Sequence, residues 1–301
     1  MSTAGSAAMQ QLALGLRQRF SGMPERDAAT MARALIGEEP YVAAPESQAR
    51  AGVPTGCLQA MTFPAGSIYP GCTHEGWLYL PAQSDGRTPI GLMIFLDGAR
   101  YLAPEIAVPA VFDNLIAAGE LPPLAALFLN PGSAGPGLPL WGCGDNRSLE
   151  YDAPGDIFSR FLIEEILPVV EQQHPLIDDP AWRGICGFSS GGMGALNAAW
   201  ERPDAFGKVL THCGSFVDIR GGDQMPARIR RDGYKPLRVL LQTGSGDLDV
   251  VFGNWPLANQ QVAAALAYVG CECRLEIGSG GHSLRHGGAI FPESMRWLWR
   301  G

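Results

Sequence analysis

Residues Gly187-Phe188-Ser189-Ser190-Gly191 spell G-x-S-x-G, and their flanks supply what that pattern needs in order to do chemistry. Trp182 to Cys186 is short and mostly apolar, as in a buried strand, and Gly192 to Trp200 reads as a helix with small residues on its first turn. A serine at such a strand-to-helix turn is held in a strained conformation with its hydroxyl above the sheet. The helix behind it aims unpaired N–H groups at developing negative charge. This is the arrangement of an acyl-transfer nucleophile, and Ser189 is the candidate. The bland alternative is a glycine-rich turn with no chemistry.

A serine hydroxyl is a weak nucleophile at neutral pH, so a base and an acid that orients the base are required. On a strand-turn-helix scaffold the chain order is serine, then Asp or Glu, then His. Three histidines follow Ser189: His212, His282 and His286. His282 stands in the glycine-rich stretch Gly278-Ser279-Gly280-Gly281-His282, able to reach back to the serine, and is preferred as base over His286. His212 ends a strand-like segment and reads as a satisfied core histidine. Asp247 comes first after the glycine turn Thr243-Gly244-Ser245-Gly246 and is the expected acid, with Asp249 as fallback. Two amides must meet the oxyanion: that of Ser190, and that of Ala99 in the Asp97-Gly98-Ala99 turn. Histidines four apart at 282 and 286 could bind zinc on a helix. Their glycine-rich setting and the absence of H-E-x-x-H disfavour this, so neither metal nor cofactor is expected.

The elements that must position these groups follow in alternation. Gly76–Leu80 alternates like a half-buried antiparallel strand. Ile90–Leu96 and Leu124–Leu129 are continuous apolar runs, as in strands buried on both faces. Lys208–Cys213, Leu237–Gln242 and Cys273–Ile277 add further strands. Helices are expected at 108–118, 158–173 and 259–269. Strand and helix in turn predict an α/β fold with a mainly parallel, doubly wound sheet flanked by helices. Residues 1–52 read as a separate helical and linker extension, with helices at 1–20 and 25–35 and linker at 37–56. The catalytic body would be 53–301.

Composition fits this reading. Hydrophobic residues are 46% and charged residues 17% of the 301, enough for a large core. A formal charge of −8 argues against a nucleic-acid partner. Seven cysteines form no paired framework, and no apolar run reaches membrane-spanning length, so a reduced, cytoplasmic protein without membrane contact is expected. The N-terminal extension is also a candidate surface for homo-oligomer contacts.

Several blocks, in order, carry a resemblance: Phe95-Leu96-Asp97-Gly98, Asn146 to Asp152, Phe161 to Pro168, Gly187 to Gly192, His212 to Phe216, and Gly280-Gly281-His282. Over roughly residues 60–300 the chain resembles esterases of the α/β-hydrolase superfamily related to enterochelin esterases, feruloyl esterases and S-formylglutathione hydrolases. The resemblance implies the α/β-hydrolase fold and Ser189, Asp247 and His282 as a triad acting on a small-molecule ester. Arg100 and Leu284-Arg285 depart from the pattern, and residues 1–50 have no counterpart. Trp141, Arg147, Glu150, Trp255 and His286 are the candidate substrate contacts. An Arg147–Glu150 salt bridge is the structural alternative for that pair. Acyl transfer to another alcohol, peptide hydrolysis and a non-catalytic binding module are the competing functional readings.

Overall fold

Runs of apolar residues set the centre of this protein. The computed structural model describes residues 3–19, 23–133 and 144–301. In β3 (Gly91–Leu96) and β4 (Leu124–Leu129) every residue is buried. Side chains along a strand alternate between faces. Leu92, Ile94 and Leu96 accordingly enter one core cluster, and Met93 and Phe95 enter another on the opposite face. Leu127 and Phe128 divide in the same way, and Phe128 stacks on Phe95 at 5.2 Å. A strand apolar on both faces requires a cover on each side, which is why helices flank this sheet.

The remaining strands are β1 (Cys57–Phe63), β2 (His74–Leu80), β5 (Arg183–Phe188), β6 (Lys208–His212), β7 (Arg238–Gly244), the short pair β8 (Asp249–Val250) and β9 (Gly253–Asn254), and β10 (Glu272–Gly278). Of the ten strands among the described residues, eight form one sheet in the order β1-β2-β4-β3-β5-β6-β7-β10, and β8 and β9 pair separately. β2 runs antiparallel to β1 and β4, and every pairing from β4 to β10 is parallel. The expected antiparallel strand near residue 78 and the parallel body are thus both present. β1 was not anticipated; it is exposed over its first four residues and carries little of the core pattern.

Helices are α1 (Thr3–Arg19), α2 (Glu25–Ile36), α3 (Val108–Ala117), α4 (Gly144–Tyr151), α5 (Ile157–Phe161), α6 (Leu167–Glu171), α7 (Ser190–Glu201), α8 (Met225–Asp232), α9 (Trp255–Tyr268) and α10 (Arg285–Trp299). The single helix expected over 158–173 is α5 and α6 joined by a π-helical turn, Leu162–Ile166. Pro168 is the second residue of α6, just past that turn; lacking an N–H and crowding the preceding carbonyls, it cannot continue a regular α-helical ladder.

The stretch read as linker, 37–56, is bonded to the body along its length. Asn114 of α3 donates to the carbonyls of Glu46 (2.8 Å) and Gln48 (2.9 Å). Gly56 N–H donates to Asp113, and Arg296 of α10 pairs with Glu46 at 2.9 Å. Ahead of it, α1 and α2 share a small apolar cluster around Leu16, Ala28 and Ala32. Asp27 of α2 accepts from the amide of Val251 at 2.7 Å.

Candidate active site

Ser189 follows the last residue of β5 and precedes α7. Its backbone lies at φ 60°, ψ −123°, a region that L-residues enter only under constraint. Its N–H donates to the carbonyl of His212 at 2.9 Å, fixing the turn to β6. The turn is so tight that a Cβ on Gly187 would fall 2.1 Å from the carbonyl oxygen of Gly191. Glycine is required there.

The groups brought to Ser189 come from two loops, one after β7 and one after β10. His282 Nε2 lies 2.9 Å from Ser189 Oγ, and His282 Nδ1 lies 2.6 Å from Asp247 Oδ1. A carboxylate only accepts, so Nδ1 carries the proton and Nε2 is left to accept from the serine hydroxyl. Asp247 also accepts from Thr243 Oγ1 (2.8 Å) and from the amide of Leu248 (2.7 Å), which fixes its plane. Asp249 is exposed in β8, where it pairs with Asn254.

A further contact was missed from sequence. Ser215 Oγ lies 3.2 Å from Ser189 Oγ and accepts from Trp255 Nε1 at 3.2 Å. Since the indole can only donate, and Ser189 gives its proton to His282, the Ser215 hydroxyl donates to Ser189 Oγ. The residue belongs to the block His212 to Phe216, but no periodicity marks it. Trp255, expected against substrate, is buried and engaged in this bond, with its ring edge-on to His282 at 5.9 Å.

Of the expected oxyanion donors, Ser190 opens α7, so its N–H is among the first-turn amides without an intrahelical acceptor. Ala99 N–H donates to Asn130 Oδ1 at 3.1 Å. Asp97, preceding that turn at φ 56°, forms a two-pronged pair with Arg147: Nε to Oδ1 at 2.8 Å and Nη2 to Oδ2 at 2.5 Å. Burial opposes the Arg147 charge, but the Asp97 carboxylate outweighs it and raises the guanidinium pKa above its usual range. Arg147 also reaches the carbonyl of Phe188 at 3.4 Å. It thereby ties together the Asp97 turn and the turn that carries Ser189.

The Arg147–Glu150 salt bridge considered above does not form. Glu150 is buried and accepts from the amide of Gly132 and from Asn146 Nδ2, with His74 Nε2 at 3.0 Å. His286 stacks on Tyr41 (centroids 4.4 Å apart, planes at 23°), and its Nδ1 lies 3.0 Å from Gln242 Nε2. Burial lowers its pKa. His212 is fully buried, its Nδ1 3.0 Å from Tyr101 Oη, and burial reinforced by His286 brings it down to about 3. Trp141 lies outside the described residues.

Cys213, Asp247 and His282 present ligand-type atoms within 4.8 Å of one another, the one such group among the described residues. Burial, with Asp247 adding to it, raises the Cys213 thiol well above its usual range. A metal ligand must be a thiolate, so this thiol is ill suited to the role. A groove of about 300 Å³ lies beside the site, between the N-terminal helices and the loops of Asp247 and His282, lined among others by Met9, Arg33, Glu39, Gly246 and Ser279.

Comparison with known proteins now fits this geometry. Residues 67–271 match the family described as "Putative esterase". The chain belongs to this esterase family. It is 31% identical over 242 residues to the iron(III) enterobactin esterase of Dickeya dadantii, covering 75% of this chain and 51% of that one. The Escherichia coli protein of the same description is 26% identical over 175 residues, covering 56% and 41%. The chain thus spans about half the length of the curated relatives it matches. Among solved structures, an enterobactin esterase from Shigella flexneri, solved with 2,3-dihydroxy-N-benzoyl-serine, superposes with a TM-score of 0.67 at 21% identity (84% of this chain, 61% of the other). A ferulic acid esterase from Anaeromyces mucronatus in complex with ferulic acid gives 0.67 at 16% identity, covering 84% and 94%. These neighbours share the α/β-hydrolase fold with this member of the esterase family. Among the described residues no helix is long and apolar enough to cross a membrane.

Proposed function

We propose that this protein is a serine carboxylic-ester hydrolase that works through an acyl-enzyme, with Ser189 as nucleophile, His282 as base and Asp247 as the acid that orients it. The unbroken line from Asp247 Oδ1 through the His282 ring to Ser189 Oγ, with steps of 2.6 and 2.9 Å, carries this reading. Such a line allows the serine proton to leave as its oxygen attacks the ester carbonyl, while Asp247 stabilises the imidazolium that forms. The amides of Ser190 and Ala99 receive the oxyanion, each contributing about 3 kcal/mol in comparable sites. In that step the ester oxygen takes the Ala99 amide over from Asn130. His282 then protonates the leaving alcohol, and water repeats the sequence to free the acid.

The substrate class is an ester of an aryl acid, a catecholate siderophore or a sugar. The 31% identity to an iron(III) enterobactin esterase favours the siderophore type. Hydrolysis of p-nitrophenyl acetate by the wild type and Ser189→Ala tests the chemistry. Turnover should fall by at least 10³-fold in the variant, with an unchanged circular dichroism spectrum. Undiminished turnover, or wild-type protein inert to a fluorophosphonate probe, would overturn the proposal. A panel of catecholate, feruloyl and acetyl-sugar esters then ranks substrates by kcat/KM.

A further inference from the structure

We propose that residues 34–41, which precede the sheet, act as a strap that positions the His282 loop, with Glu39 and Tyr41 as its side-chain fastenings. The inference rests on the reading of His282 as the base. The loop from Ser279 to Leu284 joins β10 to α10 and contains Gly280 and Gly281, so its own sequence restricts its backbone little. The strap supplies the restriction. His282 N–H donates to the carbonyl of Ala34 at 2.7 Å, and Ser283 Oγ donates to Glu39 Oε1 at 2.7 Å. Ser279 N–H donates to Tyr41 Oη at 2.7 Å, and Arg285 Nη1 donates to the carbonyl of Gly37 at 2.7 Å. The fit is close: a Cβ on Gly281 would fall 2.3 Å from the oxygen of Ala34. On the other side, the backbone bond Gly246 N–H to Gly280 C=O (3.0 Å) ties the loop to the Asp247 turn.

The base is useful only when its nitrogen lies within hydrogen-bond reach of Ser189, and displacements near 1 Å cost up to about 10²-fold in rate. Glu39 and Tyr41 are therefore positioning residues. They act on the chemical step through the placement of His282 and leave substrate capture largely alone. Removing the loop from its strap should lower kcat while KM stays nearly constant.

The test compares Glu39→Ala, Tyr41→Phe and the double variant with wild type on p-nitrophenyl acetate, below their unfolding temperatures. The expected result is a kcat reduced about 10- to 100-fold in the double variant, with KM within threefold. Phosphonylation by a fluorophosphonate should slow in parallel. Glu39→Gln, whose amide oxygen can still accept from Ser283, should restore kcat to within threefold of wild type. Should the double variant fail to fold, Ser283→Ala removes the Glu39 bond from the loop side and is expected to match Glu39→Ala. A folded double variant, or in its absence Ser283→Ala, with kcat within twofold of wild type would overturn the strap. So would a loss carried mainly by KM, or no recovery in Glu39→Gln. His282→Ala separates the two readings: full turnover there sinks the assignment of the base itself, whereas an inactive His282→Ala beside an undiminished strap variant sinks the strap alone.

Discussion

Ser189 and His282 meet at 2.9 Å but are held by different kinds of support. The serine stands on a turn whose shape comes from its immediate neighbours: Gly187 behind it, α7 ahead, and one bond from its N–H to β6. The histidine stands on a loop with two glycines just before it, and partners at Ala34, Glu39 and Asp247 fix it from far along the chain. Local sterics suffice where a tight strand-to-helix turn leaves one backbone conformation open. A longer glycine-containing loop has many, and remote contacts must select among them. Ser189 is therefore expected to be intolerant of small local changes, and His282 sensitive to changes far away in sequence.

Four substitutions sharpen that contrast. Asp247→Asn should lower kcat by about 10³- to 10⁴-fold through loss of the correct His282 tautomer, while Asp249→Asn, on exposed β8, should change it less than twofold. Steady-state kinetics distinguish the two. Arg147→Met leaves the Asp97 carboxylate buried without its partner and should destabilise the protein by about 3–5 kcal/mol in urea unfolding. Gly187→Ala forces a methyl against the Gly191 carbonyl and should cost about 2–3 kcal/mol, with esterase activity falling as the elbow shifts.

A last effect concerns pH. Burial brings His212 down to about 3 in the folded chain, against about 6.5 when unfolded. Its folded form binds fewer protons between those values, so its contribution is complete above about pH 6.5 and is lost as pH falls towards 3. The slope approaches 1.4 kcal/mol per pH unit. Unfolding midpoints at pH 7, 6 and 5 should decline less steeply in His212→Gln than in wild type. Equal slopes would mean that His212 does not titrate in this way.

Much of the scaffold could be read from pattern because a sheet covered on both faces imposes continuous apolar runs, as in 91–96 and 124–129. Helix α10 could not. Gly287, Gly288 and Pro292 are local breaking signals, yet the helix runs from Arg285 to Trp299 because Phe291, Met295 and Leu298 bury against the sheet. Packing overrides propensity there. The strand-turn-helix signature pointed to Ser189, and the glycine turn pointed to Asp247 ahead of Asp249. Nothing in the local sequence of Arg147 indicated Asp97, fifty residues earlier, as its partner. Ser215 carried no signal of its own, being one polar residue in the turn that follows β6.

By itself, then, the amino-acid sequence determined the alternating strands and helices, the strained serine turn and the order of serine, acid and histidine. Each of these is set by interactions among residues close together in the chain. The tertiary structure decided which aspartate faces the imidazole, where Arg147 and Trp255 spend their hydrogen bonds, and that the N-terminal segment grips the His282 loop. Those outcomes depend on distances between segments as many as 248 residues apart, as between Gly37 and Arg285, and only the folded chain sets them.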